Sequence, residues 1–412
     1  MKLSKYNIEV KNKDFSLVYN NISGEVVVLS NNKYNDFINM KLSDCENDRL
    51  FNKHFYVDDD CDEYAYLLSR SKYSSYMSNT SKFRILTTTN CNAHCFYCYE
   101  QGIKSFTMKG ETIESVISFI VKNSKYKKNV SIEWFGGEPL LNKDAIRKIS
   151  KGVKQALNED QYFYSTIVTN GSLIDENTMV EMKNDWSVRS VQITIDGVGK
   201  DYENVKRISG FSFSDIVSKI EGLVKNKIKV DIRLNFNDKN LKQIEDVIKY
   251  FSGVSFRNDI NIYASKIFDF KQRDYFNLEH ETIFVDELLH KYGFLVGEKL
   301  LPKIMKQPCQ ANNIDYFTIN ANGDVFKCDR KLLSDDRLGH ASNYEHDFKK
   351  EFKWINPNLL KKCTECILLP NCWGGCIYDR MNNLDYCYCT INILKNRLNM
   401  LLSDYLAEKN FL

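Results

Sequence analysis

The sequence predicts an α/β fold, in which a parallel sheet, open or curled into a partial barrel, lies between a small α+β region and a cysteine-rich region. Three observations predict it. Six strand-like segments alternate with amphipathic helices in the middle of the chain, an alternation typical of parallel sheets. Two β-rich runs precede residue 80, and eight of the 13 cysteines fall between Cys309 and Cys389.

The first 80 residues predict a small separate domain. Residues 15–19 and 25–29 are rich in β-forming side chains, and residues 20–24 between them are typical of a hairpin loop. Polar, partly helical sequence follows. Residues 69–81 are rich in Ser, Tyr and Asn, which indicates a linker. We therefore expect three consecutive domains, at residues 1–80, 81–305 and 306–412.

The central region carries the alternating elements. Asn142 and Ser214 are candidate helix caps, because each precedes an apolar pattern with helical spacing. Ligand sites in parallel α/β folds lie at the carboxyl ends of the strands, so residues at those ends are site candidates. The predicted strands are residues 83–88, 130–135, 162–169, 190–195, 229–236 and 259–264.

Composition narrows the possible partners and location. A net charge of +3 on 412 residues gives no reason to expect nucleic acid or an anionic membrane. The N-terminal residues resemble no secretory signal, and no apolar run reaches transmembrane length. A cytoplasmic protein keeps its thiols reduced, so clustered cysteines indicate metal or iron–sulfur ligation. The isolated Cys45 and Cys61 are expected to be ordinary thiols.

The densest functional motif directly follows the first central strand. Cys91, Cys95 and Cys98 are separated by three and two residues. Three thiolates on one tight loop can hold three irons of a cubane cluster and leave the fourth iron open to a small molecule. A zinc site is the alternative, and it needs a fourth ligand, for which His94 is nearby.

Polar and glycine-rich segments at later strand ends are candidates for binding a cofactor. Adjacent glycines allow backbone groups to approach a ligand closely, although ordinary turns also explain such segments. Arg233 lies in an alternating strand and can bind a carboxylate through two nitrogens, or is an ordinary surface arginine. The other candidates are Gly136, Gly137, Glu138, Asn170, Thr194 and Asp196.

Together these motifs resemble the radical S-adenosylmethionine (SAM) superfamily over residues 82–264. Tyr97 matches the aromatic residue that usually precedes the last cysteine of the family loop. The resemblance implies a partial (β/α)6 barrel, a [4Fe–4S] cluster on the three cysteines and bound SAM. It also implies that Gly136, Gly137 and Glu138 meet the methionine amino group.

The C-terminal cysteines resemble the SPASM domain of peptide-modifying radical enzymes, including its Gly323 before Cys328. The resemblance implies two auxiliary [4Fe–4S] clusters. One would use Cys309, Cys328 and Cys376, with either an open iron or one of the last two cysteines. The spacing favours the open iron, since those two cysteines are only about 7 Å apart in an extended chain. A zinc ribbon over residues 363–376 is the alternative. The second cluster would use Cys363, Cys366, Cys372 and either Cys387 or Cys389.

The predicted function is radical modification of a ribosomally made precursor peptide, first of all by Cys thioether cross-linking. Carbon–carbon cross-linking and sulfatase maturation are alternatives within the family, and a non-catalytic iron–sulfur electron carrier is an alternative of another class. Asp329 matches a residue that resembles a proton acceptor in sulfatase-maturing enzymes, or is a solvated turn residue. The implied partners are the precursor peptide, which residues 1–80 would grip by strand addition, and an electron donor such as flavodoxin or ferredoxin. Those residues would otherwise be a structural cap.

Overall fold

A computed structural model describes residues 1–100, 102, 104–267, 279–307, 309–332, 335–355, 359–381, 387 and 389–409. The chain forms two compact units that are each discontinuous in sequence. The first contains Met1–Ser75, Thr282–Asn312 and Asn356–Leu412, and the second contains Tyr76–Glu281 and Asn313–Ile355. The sequence-based division into three consecutive domains follows different boundaries.

The N-terminal elements begin the first unit. Its three-stranded antiparallel sheet has the order β2–β3–β4, and pairing of residues 15–19 with residues 26–30 confirms the predicted hairpin. The predicted linker is wrong over residues 69–76, because a helix continues through them and buries Ser71 and Ser75. The elements are β1 (Lys2–Leu3), β2 (Asn7–Lys11), β3 (Phe15–Asn20), β4 (Val26–Ser30), α1 (Asn31–Ile38), α2 (Asp44–Asn52), β5 (Tyr56–Val57) and α3 (Glu63–Tyr76).

Six parallel strands form the centre of the second unit, as predicted. They lie in sequential order, because each strand from β6 to β11 pairs with the next through a helical crossover. The strands are β6 (Thr80–Thr88), β7 (Asn129–Gly136), β8 (Tyr162–Thr169), β9 (Val188–Thr194), β10 (Lys229–Phe236) and β11 (Ile260–Lys266). The helices are α4 (Gly110–Ser124), α5 (Lys143–Ala156), α6 (Glu176–Asn184), α7 (Lys200–Lys206), α8 (Phe213–Lys225) and α9 (Leu241–Ser252).

The two faces of this sheet differ, and that difference positions the site. In β7, Ile132 and Trp134 are fully buried, whereas Glu133 between them is only partly buried. In β10, Ile232 is buried and Arg233 is only partly buried. Since successive side chains of a strand point to opposite faces, one face packs into the apolar core and the other carries polar groups.

One predicted helix cap is confirmed and the other is wrong. The Asn142 side chain accepts a hydrogen bond from the Ala145 N–H and begins α5. Ser212, not Ser214, begins α8: it accepts from the Asp215 N–H, whose carboxylate accepts from the Ser212 N–H in return. This reciprocal capping box satisfies two backbone donors, and helix α8 therefore begins two residues earlier than expected.

The remaining elements complete both units. The predicted hairpin around Gly323 is confirmed as β12 and β13, and β12 extends the large sheet by pairing in parallel with β6. Gly323 has a φ of +88°, which glycine adopts without strain. The predicted final helix is also confirmed, and it packs Leu398 and Leu402 on Leu17 and Tyr19 in the first unit. The elements are α10 (Glu279–Lys291), β12 (Tyr316–Ile319), β13 (Asp324–Phe326), β14 (Gly339–His340), α11 (Phe348–Ile355), α12 (Lys361–Thr364), α13 (Leu369–Cys372), α14 (Ile377–Met381) and α15 (Ile391–Glu408), with short 3-10 turns at Pro139–Asn142, Arg257–Asp259, Gly297–Leu300, Gln310–Asn312 and Asp329–Lys331.

Candidate active site

A cavity of about 470 Å³ lies in the second unit, among the carboxyl ends of the parallel strands and the polar face of the sheet. Its position follows from the fold, since the loops after parallel strands meet at one edge of the sheet. The structure brings ten of the predicted site residues to this cavity. They are Cys91, Cys95, Tyr97, Cys98, Gly136, Gly137, Asn170, Thr194, Arg233 and Asp329.

The three thiols of the loop after β6 share this cavity. The Cys91 sulfur accepts from the Ala93 N–H at 3.3 Å, and the Cys98 N–H donates to the Cys95 carbonyl at 3.2 Å. Cys91 is exposed as a residue, but the cavity walls desolvate its thiol. That desolvation, with the charges of Glu138, Cys95 and Cys98, raises the pKa of Cys91 to about 11. All three cysteines line the same cavity.

Three converging thiols fit the cluster that the family loop implies, because a cubane takes one thiolate on each of three irons. Repulsion between neighbouring thiolates is relieved when metal is bound, since binding deprotonates and neutralises them together. Within the described ranges, no three His, Cys, Asp or Glu side chains lie close enough to hold a single metal ion.

Gly136 and Gly137 pack directly against the loop that carries these thiols. A Cβ on Gly136 would lie 2.2 Å from the Thr88 carbonyl oxygen, and one on Gly137 would lie 2.2 Å from the Asn90 carbonyl oxygen. Gly136 also has a φ of +116°. Only glycine permits this contact, which holds the end of β7 beside the cysteine loop.

Glu138 does not face the cavity openly; it is fully buried behind the cavity wall. Its carboxylate accepts from the Thr169 hydroxyl at 2.7 Å, the Asn170 N–H at 2.7 Å and the Leu140 N–H at 3.0 Å. Burial raises the pKa of Glu138 even though these donors and Lys143 act to lower it. The residue therefore ties the end of β7 to the end of β8 and orients Asn170.

Asp196 is likewise buried, in a group of three with Tyr97 and Lys206. Lys206 donates to the Asp196 carboxylate at 2.9 Å and to the Tyr97 hydroxyl at 3.0 Å, and Tyr97 also donates to that carboxylate. Burial lowers the pKa of Lys206, but Asp196, Tyr97 and Cys95 together outweigh it, and the net pKa is well above the ordinary value. Lys206 was not predicted from the sequence, although it lines the cavity with Tyr97.

Asp329 lies on the same cavity and is held by two donors. The Tyr99 hydroxyl donates to its Oδ2 at 2.9 Å, and Arg84 Nη1 lies 2.9 Å from the same oxygen. Arg84 also pairs with Glu133, its neighbour on β7. Burial and the charge of Asp329 raise the pKa of nearby Glu100 to about 7, although Arg84 acts in the opposite direction. These polar neighbours were not predicted. The only sequence signal for them was the alternation of the strands, which indicates that one face of the sheet is polar.

Four of the C-terminal cysteines influence one another in the first unit. Burial and the charges of Cys366 and Cys387 raise the pKa of Cys363. Burial and the charges of Cys363 and Cys366 raise the pKa of Cys372. Cys387 and Cys389 are both exposed, and Cys387 is the one whose charge acts on Cys363.

Comparisons with known proteins show which family model and which relatives this chain resembles. Residues 85–251 match the family model described as Radical SAM superfamily. A cysteine-type anaerobic sulfatase-maturating enzyme of Clostridium novyi is 24% identical over 337 residues, 72% of this chain and 87% of the relative. The radical SAM cyclopropyl synthase TigE of Paramaledivibacter caminithermalis is 25% identical over 441 residues, 91% of this chain and 89% of the relative.

Two solved structures share the fold. The enzyme anSMEcpe, with bound AdoMet, matches with a TM-score of 0.62 at 20% identity, over 80% of this chain and 98% of that chain. SuiB of Streptococcus suis, bound to the precursor peptide SuiA, matches with a TM-score of 0.56 at 14% identity, over 95% of this chain and 99% of that chain. No helix in the described part of the chain has the length and apolar character to cross a membrane.

Proposed function

Because this chain carries a radical SAM domain over residues 85–251, we propose that it is a radical SAM enzyme that modifies a ribosomally made precursor peptide by Cys thioether cross-linking. The observation that carries the proposal is the convergence of Cys91, Cys95 and Cys98 on one polar cavity at the strand ends. A cavity of about 470 Å³ has the size of ordinary small-molecule sites.

Cys91, Cys95 and Cys98 would hold the [4Fe–4S] cluster, which with SAM supplies an electron and a 5′-deoxyadenosyl radical when both are bound. The chain positions the ligand around it. Buried Lys206 offers a fixed positive charge for the methionine carboxylate, and Arg233 offers a second. Asn170 presents amide groups from the end of β8, where Glu138 fixes its backbone.

Asp329 would accept the proton that a substrate releases. Its Oδ2 is held by Tyr99 and Arg84 at 2.9 Å each, so the carboxylate is oriented before the substrate arrives. A preorganised carboxylate costs little reorganisation during proton transfer. Asp329 lines the same cavity as the cysteine loop, which supports this role.

The C-terminal cysteines favour the presence of auxiliary iron–sulfur clusters. Such clusters in turn favour a peptide substrate. We assign Cys363, Cys366, Cys372 and Cys387 to one cluster, as the SPASM resemblance implies. The charges of Cys366 and Cys387 act on Cys363, and those of Cys363 and Cys366 act on Cys372, which supports the grouping. The second auxiliary cluster that the SPASM resemblance implies stays a prediction, and an open iron there would bind a substrate thiolate.

The precursor's leader would be gripped by the N-terminal sheet. Strand β4 lies at the edge of that sheet within the described residues, and an edge strand offers backbone groups to an added strand. SuiB, whose fold this chain shares, was solved with a precursor peptide bound.

Sulfatase maturation is the second candidate. Asp329 faces the cavity, and the Clostridium novyi relative is named as a sulfatase-maturating enzyme. The two functions differ in the product. Thioether formation removes two hydrogens from the peptide and keeps the cysteine sulfur, whereas formylglycine formation removes two hydrogens and also replaces the cysteine sulfur with oxygen.

The test is anaerobic reconstitution with iron and sulfide, followed by dithionite, SAM and a Cys-containing peptide. We expect 5′-deoxyadenosine in the wild-type protein and a peptide that has lost two hydrogens and one alkylatable thiol. Cys95→Ala should abolish both products, whereas Cys45→Ala, at an exposed cysteine of α2, should leave both unchanged. Full iron loading without 5′-deoxyadenosine would reject the proposed function.

A further inference from the structure

Arg380 of α14 lies among the cysteines of the first unit. A Cβ on Gly374 would lie 3.4 Å from Arg380 Nη1 and 3.5 Å from the Cys363 sulfur, so both atoms border the same backbone position. Gly374 has a φ of +75°, which favours glycine there. The guanidinium and this thiol are therefore held against one turn of the chain.

Arg380 also lies beside a cysteine of the other predicted group. The Arg380 N–H donates to the Cys376 carbonyl at 3.2 Å, so the residue follows that cysteine by one helical turn. Cys363 belongs to one proposed cluster and Cys376 to the other. An arginine held near a cysteine of each group is well placed to act on both.

We propose that Arg380 is a positioning residue that holds a fixed positive charge between the two groups of C-terminal cysteines and raises the reduction potential of the iron–sulfur clusters they hold. The proposal rests on the auxiliary clusters of the proposed function. An arginine suits this role because it remains charged at every physiological pH and has five N–H donors for sulfur.

Electrostatics determines the direction in which Arg380 shifts the reduction potential. Reduction adds one negative charge to a cluster, and a nearby cation stabilises that charge more than it stabilises the oxidised form. Hydrogen bonds to the sulfurs act in the same direction. Arg380 therefore makes the clusters better electron acceptors.

A better acceptor suits the proposed reaction. When a substrate carbon radical joins a cysteine thiol, the new carbon–sulfur bond forms with release of one proton and one electron. An oxidised auxiliary cluster, if bound by these cysteines, would accept that electron, and a base such as Asp329 would accept the proton. Arg380 favours this transfer by stabilising the reduced cluster.

The experiment is a redox titration monitored by electron paramagnetic resonance (EPR). The parent protein carries Cys91→Ala, Cys95→Ala and Cys98→Ala, so that only the C-terminal clusters contribute signals. Arg380→Met and Arg380→Lys are compared with Arg49→Met, which changes an exposed arginine of α2.

We expect at least a tenfold lower ratio of reduced to oxidised cluster in Arg380→Met at a fixed potential, or about 59 mV for a one-electron couple. Arg380→Lys should stay closer to the parent, and Arg49→Met should match it. An unchanged potential in Arg380→Met would overturn the proposal.

Loss of iron has its own interpretation. If Arg380→Met loses iron and Arg380→Lys keeps it at the parent potential, the positive charge is needed to hold the clusters, which supports the proposal. Loss of iron from both variants would overturn it, because the residue would then serve the fold rather than the charge. Failure of 5′-deoxyadenosine formation in the intact protein would reject the proposed function without altering these potentials.

Discussion

Replacement of Lys206 by Met should destabilise the protein by about 3 kcal/mol, the lower end of the cost of breaking a buried ion pair. The Lys206 and Asp196 side chains are only 4% and 1% exposed, and their charged atoms are 2.9 Å apart. Without Lys206, the Asp196 carboxylate remains buried without its cation. It keeps hydrogen bonds from Tyr97 and from the Asn235 N–H, so we expect the lower end of the range.

The control is Lys200→Met in the same helix. Lys200 pairs with Glu203 at 3.1 Å, but its side chain is 89% exposed, so loss of this pair should change stability by no more than about 0.5 kcal/mol. The assay is urea unfolding of the apo-protein under reducing, anaerobic conditions. Addition of Asp196→Asn to Lys206→Met should recover part of the loss, because it removes the stranded charge.

The pH dependence gives a second check on the same pair. The folded pKa of Lys206 lies above its unfolded value. Its contribution is therefore complete below the unfolded pKa of about 10.4 and is lost only as the pH rises through the folded pKa. The cost of Lys206→Met should be constant from pH 6 to pH 9. A cost no larger than that of Lys200→Met would refute the reasoning.

Three further predictions concern the cavity wall. Gly137→Ala would place a Cβ 2.2 Å from the Asn90 carbonyl oxygen, so SAM binding measured by equilibrium dialysis should weaken at least tenfold; unchanged binding would contradict the close approach. Burial raises the pKa of Glu138, so the stability of wild type relative to Glu138→Gln should fall as the pH rises from about 4.3 through the folded pKa of Glu138. A difference in urea titrations that stays flat with pH would count against this expectation. Tyr99→Phe removes the donor to Asp329 and should lower the yield of modified peptide per 5′-deoxyadenosine in coupled product assays, whereas an unchanged yield would exclude this role.

The sequence was most informative where local pattern and tertiary environment agree. The alternation in residues 229–236 predicts β10 to the residue, because one face packs against helices and the other lines the cavity. The hairpin around Gly323 and the final helix were similarly predictable from turn chemistry and apolar spacing. The cysteine spacing singled out, without any knowledge of the fold, three residues that line one cavity.

Other features depend on contacts between distant segments. Nothing in the sequence of α7 distinguishes Lys206 from Lys200, and only the fold buries one beside Asp196 and exposes the other. Polar residues 69–76 suggested a linker, yet Ser71 and Ser75 are buried along one face of α3. The cap at Ser212 was within reach of the sequence, since Ser followed three residues later by Asp is a capping pattern.

The most direct test of the central claim is the EPR spectrum of the reconstituted, dithionite-reduced protein before and after addition of SAM. We expect a [4Fe–4S] signal that depends on Cys95 and changes when SAM is added, because SAM would bind the iron that the three thiolates leave open. A protein that retains zinc without iron–sulfur absorption after reconstitution, or a Cys95-dependent signal that SAM does not alter, would contradict it.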